Sequence, residues 1–166
     1  KAVRLMKFST KEDIEAPIED AFALFVDFDQ FERSALRRGG QVRRTDSLKS
    51  KGVGMSWDAG FMFRGKARKV SAELIAYDPN DGYEMDVQSS DLNAIATLEL
   101  MSLSKSRTRA TLSVELKPKS LSGRLMIQTM RLGKSRLDKR YRIKASDFAR
   151  IIERQHKLNV KAQAPL

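Results

Sequence analysis

From Phe8 to Ala16 every second residue (Phe8, Thr10, Glu12, Ile14 and Ala16) falls on one side of an extended chain. That alternation predicts a first strand ending at Pro17. Pro17 opens a helix: Ile18, Ala21, Phe22 and Phe25 recur at helical spacing, and Glu19 and Asp20 place negative charge at the positive end of the helix dipole. A second short helix follows Asp29 through Phe31, Ala35 and Leu36 and ends at Gly39 and Gly40. From Gln41 to Lys117 the period becomes two. Val53, Met55, Trp57, Ala59, Phe61 and Phe63 share one face, as do Val70, Ala72, Leu74 and Ala76. Tyr83, Met85 and Val87 repeat the pattern, followed by Ala94, Ala96, Leu98 and Leu100, and by Ala110, Leu112, Val114 and Leu116. Asp78-Pro79-Asn80-Asp81-Gly82 is a turn sequence, and the other connections are short, so the runs form an antiparallel meander with one apolar face.

Such a face must be covered, and the helices at the two ends of the chain are available to do it. Leu137, Tyr141, Ala145, Phe148, Ile151 and Ile152 form one stripe of a C-terminal helix, with Arg136, Lys139, Arg140, Arg142, Arg150 and Arg154 largely outside it. A single helix from Lys119 to Gln155 would be about 55 Å long, more than strands of about ten residues can cover. A break at or near Gly133 is therefore expected, giving helices from about Leu121 to Leu132 and from about Ser135 to Gln155.

The chain of 166 residues suits a single domain, with a core from about residue 7 to 155 and a flexible C-terminal tail over 157–166. Met6 is a candidate natural start, and Lys1 to Leu5 carry no part of the fold expectation. With no cysteine and only one histidine, disulfide, thiolate and multi-histidine metal chemistry is excluded, and neither metal nor cofactor is expected. Apolar runs are short, so a spanning helix is not expected and a cytoplasmic location, peripheral at the membrane in one reading, is the default. The formal charge is +11, and Lys119 to Lys157 holds twelve Lys or Arg against three Asp or Glu, a net of +9. A solvated helix face is the plain explanation; an anionic membrane surface is the alternative partner. Aromatic residues are too sparse along that helix for specific nucleic-acid recognition.

The order of elements, together with Ile14-Glu15-Ala16-Pro17 leading into Ile18-Glu19-Asp20-Ala21-Phe22, resembles the START-like (SRPBCC) superfamily. The Val26-Asp27-Phe28 corner and Gly52-Val53-Gly54-Met55-Ser56-Trp57 add to the resemblance, which runs from about Lys7 to Gln155. It implies an α+β helix-grip fold: a curved antiparallel sheet of about seven strands, in the order β-α-α-β-β-β-β-β-β-α, around a long C-terminal helix. It also implies a cavity between sheet and helix for a lipid, quinone or polyketide-like molecule. Strand and helix parities nominate Met55, Trp57, Phe61, Tyr83, Met85, Leu98 and Leu112 from the sheet and Leu125, Tyr141 and Phe148 from the helices as ligand-binding residues. Packing in the core is the competing role for each of them. Ala59, Ala72, Ala76, Ala94, Ala96 and Ala110 on the same face leave room for a helix, a ligand or water.

No nucleophile elbow, phosphate loop, dinucleotide fingerprint or zinc-protease motif is present, which leans against an enzyme. His156 lies near the end of the last helix, where an exposed, fraying side chain is expected. Glu12 and Arg68 are charges at inward parities; they either reach the rim and pair structurally or anchor a polar ligand group, and they are the weak catalytic candidates for a cyclase- or dehydratase-like reaction. Leu121 to Leu132 has little polar face and is either a lid with basic flanks or a helix buried against the sheet rim or in a homodimer contact. The leading functional expectation is binding or transport of a hydrophobic small molecule by a monomer or homodimer. A cyclase-like enzyme and a basic protein for anionic membrane or RNA are the alternatives.

Overall fold

The computed structural model describes residues 5–63 and 65–165. In it the alternating runs become a sheet of seven strands in the order β1-β7-β6-β5-β4-β3-β2, every neighbouring pair antiparallel. β1 (Met6–Ile14) is followed by α1 (Ile18–Phe25) and α2 (Phe28–Arg37). Then come β2 (Gln41–Arg44), β3 (Ser56–Phe63), β4 (Lys66–Asp78), β5 (Gly82–Gln88), β6 (Leu92–Ser104) and β7 (Arg107–Pro118). Two helices, α3 (Leu121–Leu132) and α4 (Lys134–Gln163), complete the chain, so the break falls at Gly133 as its sequence position suggests. The helix-grip architecture is thus present: a meander closed at β1, with N-terminal helices and a long C-terminal helix on its apolar face.

Local chemistry sets the entries and exits. Pro17 precedes α1, whose first turn carries Glu19 and Asp20. The Asp27 carboxylate accepts the Gln30 amide at the start of α2. Between β4 and β5 the Asp81 amide donates to the Asp78 carbonyl, and Asn80 takes a left-handed backbone (φ 67°) that its short polar side chain tolerates.

Three sequence expectations change. Val53 is not on the inner face: β3 begins at Ser56, and Gly54 just before it has a φ of 100°, which interrupts the alternation and leaves Val53 exposed. Ala76 also leaves the inner face. A bulge between Leu74 and Ala76 reverses the parity, so Ala76 lies opposite Glu84 while Tyr77 lies opposite Tyr83 and packs on Phe22. Lastly, α4 continues past Gln155 to Gln163 as an exposed extension, with a Gln155–Asn159 side-chain hydrogen bond one turn apart.

The main core joins Ile14, Phe22, Phe25, Phe28, Trp57, Leu74, Leu98 and Ile152. Phe28 stands at its centre, with the rings of Phe31, Trp57 and Tyr83 at 6.3, 5.2 and 5.7 Å. Phe148 of α4 meets Phe25 and Phe31 and ties the long helix into this cluster. A second, smaller cluster of Met6, Phe8 and Ile127 sits under α3 and the start of α4, with Leu92, Leu116, Met130, Leu137 and Tyr141 around it. In α4 the buried positions are Ala145, Ala149, Ile152 and Glu153, while Ile151 is exposed. The cations Arg136, Lys139, Arg140, Arg142 and Arg154 are all exposed.

Candidate functional site

The two clusters do not merge. Between them, over the half of the inner face built from β3 to β6, lies an open cleft of about 1270 Å³. Its floor is Ala59, Val70, Val87 and Ala94, one residue from each of those strands, and Leu116 of β7 continues it toward the smaller cluster. Leu36 at the end of α2 and Met126 of α3 line it from the helical side. Small side chains on the floor and two separated helices above it leave the space: interiors normally pack without voids of this size.

The position of α3 decides the width of the cleft, and a glycine fixes it. Ser120 caps the helix, accepting the Gly123 amide at 3.0 Å and donating to the Asp91 carboxylate at 2.8 Å. The Lys119 amide donates to the Asp91 carbonyl, and Lys119 Nζ to the Ser89 carbonyl at 2.9 Å. Gly123 lies so close to the turn between β5 and β6 that a Cβ there would stand 2.1 Å from the Asp91 carbonyl oxygen. With Gly123 and Ile127 buried one turn apart, α3 presents Met126 to the cleft and turns Leu125 outward, where it is 56% exposed. Leu121 and Leu132 are exposed as well, so this segment is neither a fully buried helix nor one closed over the cleft.

Of the ligand-binding residues nominated from the sequence, Phe61 lines the cleft. Met55, Trp57 and Leu98 belong to the packed core, and Tyr83, Met85, Leu112 and Phe148 pack against it. Burial pushes the Tyr83 phenol up to about 12. Tyr141 borders the smaller cluster, 5.5 Å from the Phe8 ring, and its hydroxyl donates to the Leu112 carbonyl at 2.7 Å; burial raises its pKa. Leu36, Val70, Val87, Leu116 and Met126 are lining residues that the sequence reading did not nominate. The parities of Val70, Val87 and Leu116 are plain in the sequence; aromatic and methionine side chains drew the nomination instead.

The two inward charges part company. Glu12 faces α4: its carboxylate is 3.7 Å from the Arg150 guanidinium, which also contacts Glu153 at 3.1 Å and donates to the Asp13 carbonyl. Beside it Arg109 grips the Asp13 carboxylate with two nitrogens, and this holds the carboxyl below its ordinary range. Glu153, nearly buried, accepts the Glu15 amide at 2.8 Å. Glu12 is thus part of an ion-pair lattice joining β1, β7 and α4, whereas Arg68, opposite Phe61 in the sheet, lines the cleft. The structure does not bring the two together. His156 is not the exposed side chain expected of it: its imidazole is only 15% exposed, 3.8 Å from the Asp20 carboxylate across α1.

A further polar cluster joins β2, the segment before β3 and α2. Asp46 accepts from the Arg44 guanidinium and from the amides of Leu48 and Ser56, which holds its carboxyl far below the ordinary range, the arginine contributing most. Arg44 in turn lies over the Trp57 ring, 5.6 Å from its centroid, and the Trp57 indole donates to Glu32 at 2.6 Å. Among the described residues no three His, Asp or Glu side chains converge as a metal site would require, and no helix is long and apolar enough to cross a membrane.

No protein-family model matches the chain, and no curated protein sequence does. Solved structures do. Norcoclaurine synthase from Thalictrum flavum, a point mutant in complex with a transition-state analogue, superposes with a TM-score of 0.67 at 11% identity, over 95% of this chain and 99% of that one. The Zhui aromatase/cyclase of a Streptomyces species gives 0.66 at 9% identity, over 98% of this chain and all of the other. A Staphylococcus aureus protein of unknown function gives 0.63 at 10% identity, over 93% and 98%. Likeness over whole chains at such low identity is likeness of fold: this chain has the helix-grip fold of these structural neighbours.

Proposed function

We propose that the chain binds a hydrophobic small molecule in the cleft between the sheet's inner face, α2 and α3. The observation that carries this reading is the cleft itself, about 1270 Å³ of space floored by Ala59, Val70, Val87 and Ala94 in a sheet whose other half is closely packed. Small-molecule sites are typically concave, mostly apolar and of roughly 300–1,000 Å³, so a bulky ligand fits without rearrangement of the core. The neighbours support the class of ligand: norcoclaurine synthase has been crystallised with dopamine and hydroxybenzaldehyde, and the Zhui protein is an aromatase/cyclase.

Turnover of a ring-bearing substrate is the second reading, and those neighbours are what favours it. Binding is preferred because the acidic side chains of the cleft are already engaged: Asp58 with Arg43 and Asp91 with Ser120. A free acid or base positioned for proton transfer is what an enzyme of this kind would need.

The test is titration with N-phenyl-1-naphthylamine, a neutral fluorophore that brightens in apolar surroundings. Saturable binding to a single site is expected, lost in Ala94→Phe, which fills the floor, while the melting temperature stays level or rises. Absence of saturation, or equal binding by Ala94→Phe, contradicts the reading.

A further inference from the structure

Arg68 is the one residue whose environment in the cleft is chemically unbalanced. Its Nε is buried and is the sole buried side-chain nitrogen or oxygen without a hydrogen-bond partner among the described residues. Four other arginines at the sheet are matched: Arg43 by Asp58, Arg44 by Asp46, Arg109 by Asp13 and Arg150 by Glu153. No carboxylate of the cleft is left for Arg68, since Asp58 takes Arg43 and Asp91 holds the Ser120 cap. A sealed guanidinium donor with no acceptor costs more than an exposed one, and the cost is recovered when an acceptor enters.

We infer that the cleft takes an amphipathic acid, its carboxylate held by Arg68 and its apolar body laid over the alanine and valine floor. The inference rests on the binding reading above and adds the polarity and direction of the ligand. An arginine fork fits a carboxylate through two parallel N–H donors, Nε and one terminal nitrogen, and the donor sealed here is one of that pair. Charge agrees. The lining carries Arg43, Lys66, Arg68, Lys69 and Lys119 against Asp58 and Asp91, a net positive site that attracts an anion. The position agrees too: Arg68 lies across from Phe61 at the β3–β4 end of the cleft, and the floor extends from it through Val70 and Val87 to Ala94 and Leu116, so an apolar track leads away from the guanidinium.

The experiment compares 1-pyrenebutyrate with 1-pyrenebutanol, two fluorophores that differ in the carboxylate alone, binding to the whole chain. The wild type is expected to hold the acid roughly ten- to a hundred-fold tighter than the alcohol, the range of a charge-assisted hydrogen-bond pair. In Arg68→Met the two should bind alike, at the affinity of the alcohol, with no loss of melting temperature because an unmatched buried donor has been removed. Arg68→Lys, which keeps the charge and loses the fork, should fall between them. Equal binding of acid and alcohol by the wild type overturns the inference and leaves the binding reading standing. So does a preference for the acid that survives in both variants. Failure of the wild type to bind either probe, or binding unaltered by Ala94→Phe, overturns the binding reading and the inference with it. The comparison of acid and alcohol on the wild type needs no variant and stands even if Arg68→Met does not fold.

Discussion

The inner face of this sheet is finished in two ways. Toward Ile14, Leu74 and Leu98 the strands meet aromatic side chains from α1, α2 and α4, and the rings of Phe28, Phe31, Trp57, Tyr83, Phe25 and Phe148 follow one another at contact distance. Toward Ala94 and Val70 the same alternation presents alanine and valine, and the helices above contribute only Leu36 and Met126. Both halves are apolar, and both read as core in the sequence. The difference lies in volume: where side chains from sheet and helices add up to the space between them the protein is stable, and where they fall short it has room for something else.

The largest effect that separates the halves is expected from Phe28→Ala. The ring is 4% exposed with three aromatic neighbours, and its loss should cost about 3–5 kcal/mol in denaturant unfolding, with probe binding in the cleft changed only through that loss of stability. Gly123→Ala should cost less, about 1–3 kcal/mol, because α3 must move off the Asp91 carbonyl to admit the methyl group. Its mark is a change in probe affinity out of proportion to stability, since Met126 moves with the helix. A fall in stability with unaltered affinity would separate α3 from the site.

Much of this division was within reach of the sequence. The parity of Phe8, Ile14, Leu98 and Leu112 placed the apolar face correctly, and the length of the C-terminal segment against the sheet required the break found at Gly133. Arg68 was visible as a charge on that face. The partner of Glu12 was not, because Arg150 belongs to the outward set by helical spacing and only its long side chain returns to β1. The bulge beside Leu74 was equally hidden: Val70, Ala72, Leu74 and Ala76 alternate without a fault, and Tyr77 comes inside through a register shift that no residue type announces. The direction of Leu125 and Met126 was decided by the seat of Gly123 on the Asp91 turn, a contact between distant parts of the chain.

Asp46 sits at the seam, holding Arg44 over Trp57 where the packed half meets β2. Its carboxyl is held down in the folded chain, so the stability it adds is present above the unfolded value of about 4 and is lost as pH falls below it. Thermal melts should therefore show wild type above Asp46→Asn near neutrality, with the gap closing as the solution is acidified; a gap independent of pH would assign the difference to hydrogen bonds alone. The smallest effect is expected from Phe61→Ala. That ring is 43% exposed at the rim of the cleft, and its removal should alter stability by no more than about 0.5 kcal/mol, the usual range for surface sites, while weakening probe binding. A loss as large as that of Phe28→Ala would mean that the rim is core.

Methyl NMR on Ile, Leu, Val and Met side chains during titration with N-phenyl-1-naphthylamine observes both halves in one experiment. Saturable shifts are expected at Val70, Val87, Leu116 and Met126, with Ile14, Leu74 and Leu98 unmoved. Shifts centred on Ile14, Leu74 and Leu98, or none at the cleft residues at saturating probe, would contradict the assignment of the open half as the binding site.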